Sequence, residues 1–137
     1  MNDDLSYTWK IVDLVLSGEI KAVASHKILN ENKLIIQRNI VRESDRSRLE
    51  KFMVQVQVVP VHKRLKIIKD DPEDDKFIEC ADETSADYII SSDRHLLDLE
   101  KYKNTQILHP KDFWFKYSGQ QSKNDGWKEI FKNILID

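Results

Sequence analysis

Short apolar runs that alternate with helical stretches are the feature of this sequence that most restricts its fold. The runs at 20–25 (IKAVAS), 88–91 (YIIS) and 105–108 (TQIL) have the composition of strands that are buried on both faces. One of the intervening helices opens at Asp71-Pro72, where an acid at the N-cap precedes proline at the first helical position. Strands that alternate with helices predict an α/β fold with a parallel sheet flanked by helices. Such sheets bind ligands at the carboxyl ends of their strands.

The size and composition of the chain exclude several classes of protein. At 137 residues it has room for one domain. No apolar run approaches the ~18 residues of a membrane helix, and the start of the sequence lacks the pattern of a secretory signal. Cys80 is the single cysteine, which excludes an internal disulfide and a cysteine-based zinc site. We therefore expect a cytoplasmic protein.

Charge is divided unequally along the chain. Residues 38–69 hold nine Lys/Arg and three Asp/Glu, whereas residues 70–100 hold two Lys/Arg and twelve Asp/Glu. One interpretation is that these are two solvated faces of opposite sign. The other is an acidic pocket that needs cations, beside a basic strip that holds phosphates.

Three acids lie where a hydrophobic core or a ligand site is expected. Glu31 falls on the apolar stripe of its helix, three residues after Ile28. Asp74 falls on the apolar face of the helix that opens at Asp71, and Asp93 follows the run 88–91 almost directly. Each has a structural alternative: an internal ion pair for Glu31, a capping box for Asp74 and a helix N-cap for Asp93.

Together these acids predict a cation site. Three carboxylates directed at one edge of a sheet repel one another unless a cation lies between them, and hard divalent cations prefer oxygen ligands. We therefore expect Glu31, Asp74 and Asp93 to converge around Mg²⁺ or Mn²⁺. The four histidines are scattered along the sequence, and we interpret them as surface or loop residues.

The stretch from Asp71 to Trp114, DPEDDKFIECADETSADYIISSDRHLLDLEKYKNTQILHPKDFW, resembles the second half of a PIN domain, in particular the branch of toxins from toxin–antitoxin pairs. The upstream stretch SGEIKAVASHKILNE resembles the second strand and following helix of that family. The resemblance implies a three-layer α/β fold with a central parallel sheet. It also implies a metal-dependent ribonuclease with clustered acids around Mg²⁺ or Mn²⁺.

Matched by position, the resemblance gives the same three acids as catalytic and metal-binding residues. The helix glutamate of the family falls on Glu31, and the acid after the fourth strand falls on Asp93. The acid that opens the later helix falls on Asp74, with Asp75 as the alternative. Ser91 stands at the Ser/Thr position before Asp93. The family also begins with a central strand that ends in an aspartate, and this sequence starts after that point, which predicts an N-terminally truncated fold.

The resulting hypothesis is an endoribonuclease that acts as the toxin of a toxin–antitoxin pair. Its expected partners are an RNA substrate, a cognate antitoxin protein and a second copy of the chain in a homodimer. The alternative is a catalytically degenerate PIN fold that binds RNA or protein. We expect the domain to span residues 1–117, followed by a polar linker and a C-terminal amphipathic segment over 118–137.

The end of the sequence offers a replacement for the central strand. Asn133-Ile134-Leu135-Ile136-Asp137 is an apolar run that ends in an acid. In the central slot, parallel to its neighbours, it would put Asp137 near Glu31 and Asp93. The favoured interpretation of this segment is still the amphipathic helix, with its apolar stripe over 127–135, and the strand is the alternative.

Overall fold

The computed structural model describes residues 3–39, 42–123 and 133–136. They form six helices and six short strands around a 3₁₀ turn at Pro72–Asp74. The helices are α1 (Asp3–Leu16), α2 (His26–Asn39), α3 (Glu43–Gln55), α4 (Asp75–Thr84), α5 (Arg94–Leu99) and α6 (Pro110–Lys123). The strands are β1 (Lys21–Ala24), β2 (Gln57–Val58), β3 (Tyr88–Ile90), β4 (Lys101–Tyr102), β5 (Thr105–Leu108) and β6 (Asn133–Ile136).

The strands form one sheet in the order β2-β1-β6-β3-β5-β4. All neighbouring pairs are parallel except the β4–β5 pair at one edge. Every residue of β3 is buried, so helices and loops cover the sheet on both faces. The expected α/β fold with a parallel sheet is confirmed.

The central slot of the sheet is filled by the C-terminal segment. In β6, Ile134 is the partner of Ala22 in β1 and of Tyr88 in β3, and Ile136 is the partner of Ile90. Both strand edges that would otherwise stand unpaired in the interior are therefore hydrogen-bonded. The structure therefore shows the alternative, a strand over Asn133–Ile136, and the favoured helix is wrong at residues 133–135. It also corrects the expectation of a sheet that lacks its middle strand. Asp137 and the rest of the expected helix over 127–135 lie outside the described residues.

Helix α6 corrects the expected start of a polar linker at residue 118. The helix continues to Lys123, because this polar stretch contains no proline and is anchored at its start. Tyr117 is buried, and the Ser118 hydroxyl donates to the carbonyl of Trp114, 2.8 Å away. Polar composition alone does not end a helix whose preceding turn is packed against the core.

Gly18 ends the first helix as its position in the sequence predicts. Its φ of 85° lies in the left-handed region that glycine adopts without strain. The Gly18 amide donates to the carbonyl of Val15, which satisfies one of the last carbonyls of α1. The chain then turns directly into β1. None of the described helices has the length and the apolar character that a membrane span requires.

Candidate metal centre

Asp93 is held in place at the carboxyl end of β3. Its backbone amide donates to Ser91 Oγ at 2.9 Å, and Ser91 is fully buried. Its carboxylate Oδ1 accepts from the His95 amide at 2.8 Å and so caps α5. The predicted helix N-cap is therefore present, but one carboxylate has two oxygens and capping occupies only Oδ1. The residue is a cap and a candidate ligand at the same time.

Asp74 is buried at the end of the 3₁₀ turn, with 7 % of its surface exposed. The cap of that turn is Asp71, whose Oδ1 accepts from the Glu73 amide at 3.3 Å. Asp74 stands at the N-cap position of α4, yet its side chain caps no amide in the described part of that helix. The Asp74 carboxylate is therefore not the side-chain cap of α4, and the capping box with Asp71 stays a prediction.

These two acids meet Asp71 and His95 in one group, which we call the Asp–His cluster. Each of the four residues offers one ligand atom, and these atoms all lie within 4.8 Å of one another. His95 Nδ1 is 3.7 Å from Asp93 Oδ1, 3.8 Å from Asp71 Oδ2 and 3.9 Å from Asp74 Oδ2. The His95 side chain is 42 % exposed, so the cluster opens to solvent on that side.

The donor chemistry of the Asp–His cluster fits a divalent cation. Three carboxylates provide the hard oxygen ligands that Mg²⁺ and Mn²⁺ prefer, and an imidazole nitrogen is better suited to Mn²⁺ than to Mg²⁺. Three negative charges in so small a space repel one another, and either a bound cation or a protonated His95 would reduce that repulsion. The structure brings Asp74 and Asp93 together, and their roles as metal ligands stay a prediction.

Glu31 is not a member of this cluster. Its carboxylate receives the Lys76 ammonium, with Nζ 3.0 Å from Oε1 and 2.8 Å from Oε2. The ion pair joins α2 to α4, and only 11 % of the Lys76 side chain is exposed. The internal ion pair, the alternative that the sequence left open for Glu31, is therefore what the structure shows.

Asp75 has a structural function that separates it from Asp74. Its Oδ1 accepts hydrogen bonds from the amides of Ile67 and Ile68, at 3.2 and 2.9 Å. One turn later on α4, Glu79 Oε2 accepts from the Leu65 amide at 2.8 Å. The two buried acids thus hold the segment 65–68 against the helix. Asp74, and not Asp75, faces the cluster.

Sequence reasoning did not find two members of the cluster. From its position in the sequence, Asp71 indicates a helix cap and His95 a surface residue. The signal that could have found them is their spacing: Asp71 lies three residues before Asp74, and His95 lies two residues after Asp93. At a helix start, such spacings bring the first-turn side chains back toward the cap.

Cys80 is unsuited to a role in metal binding or nucleophilic catalysis. Burial raises the pKa of its thiol to about 12, so the reactive thiolate is scarce at neutral pH. The residue packs in the hydrophobic core between α4 and the sheet. Its chemistry is that of a small apolar side chain.

Comparison with known proteins gives one family. The family model described as PIN domain matches residues 1–95, which include Asp71, Asp74, Asp93 and His95. No curated protein and no solved structure matches the chain. PIN domains form a superfamily of nuclease type, whose members typically depend on a divalent metal. The match covers more than half of the sequence and agrees with the parallel α/β sheet and its acidic carboxyl edge, and on these grounds the chain belongs to the PIN domain family.

Proposed function

We propose that this protein is a metal-dependent endoribonuclease whose active site is the Asp–His cluster. The observation that carries the proposal is the approach of four donor atoms to within 4.8 Å at the carboxyl end of β3. This is the edge at which parallel sheets bind ligands. Membership of the PIN family adds nuclease-type chemistry, and RNA is the substrate class that fits it.

The four residues of the cluster would bind a metal ion in different ways. Mg²⁺ or Mn²⁺, when bound, supplies positive charge that stabilises a phosphodiester under attack by water. Asp74 offers a buried carboxylate, and Asp93 offers one whose backbone is fixed by Ser91. Asp71 and His95 lie on the solvent-exposed side of the cluster. There they either bind the ion directly or leave its coordination position to a water molecule.

A further acid is supported by the register of β6. Ile136 is the partner of Ile90 in the parallel β3–β6 pair, and Asp137 is the next residue in the sequence. Residues that follow these two strands leave the sheet at the same edge. Asp137 lies outside the described residues, and we propose that it adds a carboxylate to the cluster.

We propose that Glu31 contributes to metal binding only when it is released from its ion pair with Lys76. In the structure its charge is neutralised by Lys76, so it contributes little negative potential to a nearby cation. Release from that ion pair would return a full carboxylate charge to the carboxyl edge. Glu31 is therefore a proposed ligand or electrostatic aid whose availability Lys76 controls.

The test combines metal binding and RNA cleavage in two matched variants. Asp93→Asn keeps a good helix cap but removes a charged ligand. Asp98→Asn removes an exposed charge from the same helix, at a residue that is not a member of the cluster. We expect calorimetry to show Mn²⁺ affinity at least about tenfold weaker in Asp93→Asn, a loss of about 1.4 kcal/mol, with cleavage abolished. Asp98→Asn should match the wild type.

Two results would overturn the proposal. One is a wild-type protein that neither binds Mn²⁺ nor cleaves single-stranded RNA. The other is an Asp93→Asn variant that cleaves as fast as the wild type, because the activity would then come from another site or a contaminant.

The second candidate function is a PIN fold that binds RNA or protein without cleaving it. The observation that favours it is the Glu31–Lys76 ion pair, which withdraws one of the three predicted acids from the metal. RNA binding that is unaffected by Mn²⁺, with no cleavage in its presence, would support this function against the nuclease.

We also propose that the nuclease is the toxin of a toxin–antitoxin pair and acts in the cytoplasm. A toxin of this kind arrests growth when expressed alone and is silenced by a cognate antitoxin protein. We expect induction of the wild type to arrest a bacterial host and induction of Asp93→Asn not to do so. A homodimer is the expected oligomer, which sedimentation equilibrium measures directly.

A further inference from the structure

A cleft of about 290 Å³ opens at the same edge of the sheet as the Asp–His cluster. Its walls come from residues that directly follow two strands: Ser25 and His26 follow β1, and 59–62 follow β2. Since β2, β1, β6 and β3 are all parallel, these residues leave the sheet at the edge where Asp93 leaves β3. The cleft and the cluster therefore lie on one edge of the sheet, with β6 between the strands that lead to them.

The lining of the cleft is rich in basic side chains. Five basic side chains and one carboxylate line the cleft. The basic residues are His26, Lys27, His62, Arg64 and Lys76, and the acid is Glu79. The Glu79 carboxylate is engaged by the Leu65 amide. Lys76 is neutralised by Glu31, and Lys27 lies 3.6 Å from the exposed Glu73. Among the described residues, Arg64 forms no salt bridge, which leaves its charge available to an anion.

Backbone contacts fix the wall that carries Arg64. The Val59 amide donates to the carbonyl of Ala24 at 2.9 Å, which anchors the start of this wall to β1. Its other end is held to α4, where Glu79 and Asp75 accept the amides of residues 65, 67 and 68. A cationic side chain on a fixed backbone loses less entropy on binding than one on a free loop.

The opposite wall adds the start of a long helix. Ser25 caps α2 by accepting the Ile28 amide at 3.2 Å, and α2 has 14 residues. The partial positive charge at a helix N-terminus favours anions. This helix start faces the same space as Arg64 and His62, so two independent sources of positive potential act on one cleft.

We propose that this cleft binds a phosphate group of the RNA strand whose neighbouring phosphodiester lies at the Asp–His cluster. The inference rests on the proposed function for the identity of the polymer. The binding chemistry rests on the cleft alone. Helix α4 connects the two sites, since it starts beside Asp74 and presents Lys76 and Glu79 to the cleft within its first five residues. The phosphate is either an internal phosphodiester or the terminal phosphate of a strand.

The test measures RNA binding without divalent metal, so that it does not depend on cleavage. A fluorescent single-stranded oligoribonucleotide is titrated in EDTA against the wild type, Arg64→Gln and Lys66→Gln. Lys66 is the matched control, because it is an exposed cation two residues further along the same segment and does not line the cleft. We expect Arg64→Gln to weaken binding about five- to tenfold and to reduce the salt slope by about one. Lys66→Gln should change binding less than about twofold.

A second arm identifies the source of the phosphate. Oligonucleotides with and without a 5′-phosphate are compared in the wild type and in Arg64→Gln. A gain in affinity from the 5′-phosphate that is absent in Arg64→Gln assigns a terminal phosphate to the cleft. Equal affinities for the two oligonucleotides in the wild type assign an internal phosphodiester.

Three results would overturn the inference: no RNA binding by the wild type, unchanged binding in Arg64→Gln, or equal losses in Arg64→Gln and Lys66→Gln. The last of these would indicate a diffuse attraction and no defined subsite. Mn²⁺ calorimetry on Arg64→Gln separates this inference from the proposed nuclease function. If Arg64→Gln weakens RNA binding in a protein that never binds Mn²⁺, the cleft stands and the nuclease proposal fails.

Discussion

Adjacent acids at the start of α4 should respond in opposite ways to mutation. Asp75 accepts two backbone amides through one buried oxygen, at 3.2 and 2.9 Å. A hydrogen bond to a charged group contributes roughly 1.5–3 kcal/mol. Two such bonds contribute roughly 3–6 kcal/mol, and because Ile68 is buried but Ile67 only partly so, the combined value lies near the lower end of that range. We therefore expect Asp75→Ala to lower the free energy of unfolding by about 3 kcal/mol.

Urea denaturation followed by circular dichroism measures this loss. The midpoint should fall with an unchanged slope, because the surface exposed on unfolding stays the same. Asp75→Asn keeps an oxygen acceptor and should lose about 1 kcal/mol. Asp74→Asn removes one of the clustered negative charges, so its stability should equal or exceed that of the wild type while its Mn²⁺ affinity falls.

Exchanged phenotypes of the two acids would contradict their assigned functions. An Asp75→Ala variant within about 0.5 kcal/mol of the wild type would show that the two amide hydrogen bonds are weak or replaced by water. An Asp75→Asn variant that loses Mn²⁺ affinity while Asp74→Asn keeps it would assign the metal to Asp75 instead.

Three further predictions concern the sheet, the ion pair and alkaline pH. Leu135→Pro should lower the melting temperature and reduce the free energy of unfolding by at least about 1–3 kcal/mol, because a carbonyl within the sheet loses its amide partner. A thermal scan equal to that of the wild type would contradict the central position of β6. Lys76→Met should strengthen Mn²⁺ binding severalfold in calorimetry by freeing Glu31, and unchanged affinity would remove Glu31 from the site. Burial raises the pKa of the Cys80 thiol to about 12 and, with the Glu19 hydrogen bond, that of the Tyr117 phenol to about 12. The unfolded chain releases these protons at lower pH, so stability should fall as pH rises from about 9 to 12, and urea midpoints that stay constant over this range would contradict both shifts.

Much of the fold was accessible from the sequence because local signals and burial agreed. The apolar runs at β1, β3 and β5, the Asp71-Pro72 start and the Gly18 stop each reflect a local preference that packing reinforces. The segment 65–68 is different: its apolar residues suggest a short extended piece, and the structure assigns it to no strand. Its amides, however, are satisfied by side chains of α4 instead of by a neighbouring strand. The sequence pattern of this segment does not reveal such a partner, because Glu79 lies fourteen residues after Leu65 and bonds to its backbone, which is independent of side-chain periodicity.

The candidate site was only partly accessible for a related reason. Asp74 and Asp93 stand at element ends, where position in the sequence predicts direction. Glu31 shares a helix face with apolar residues, and that position is equally compatible with an ion pair or a metal. Only the packing of α2 against α4, which brings Lys76 to Glu31, decides between them.

The position of β6 also has a consequence for the order in which the protein is made. The two strands that flank it, β1 and β3, are synthesised first, and Ile136 follows its partner Ile90 by 46 positions in the chain. At about 5–20 residues per second, the ribosome needs roughly 2–9 s to add that interval. During this time β1 and β3 have no strand between them, and both present unpaired backbone edges that favour aggregation. The sheet closes only when residues 133–136 have emerged, so in a nascent chain shorter than this the carboxyl edge is interrupted between β1 and β3.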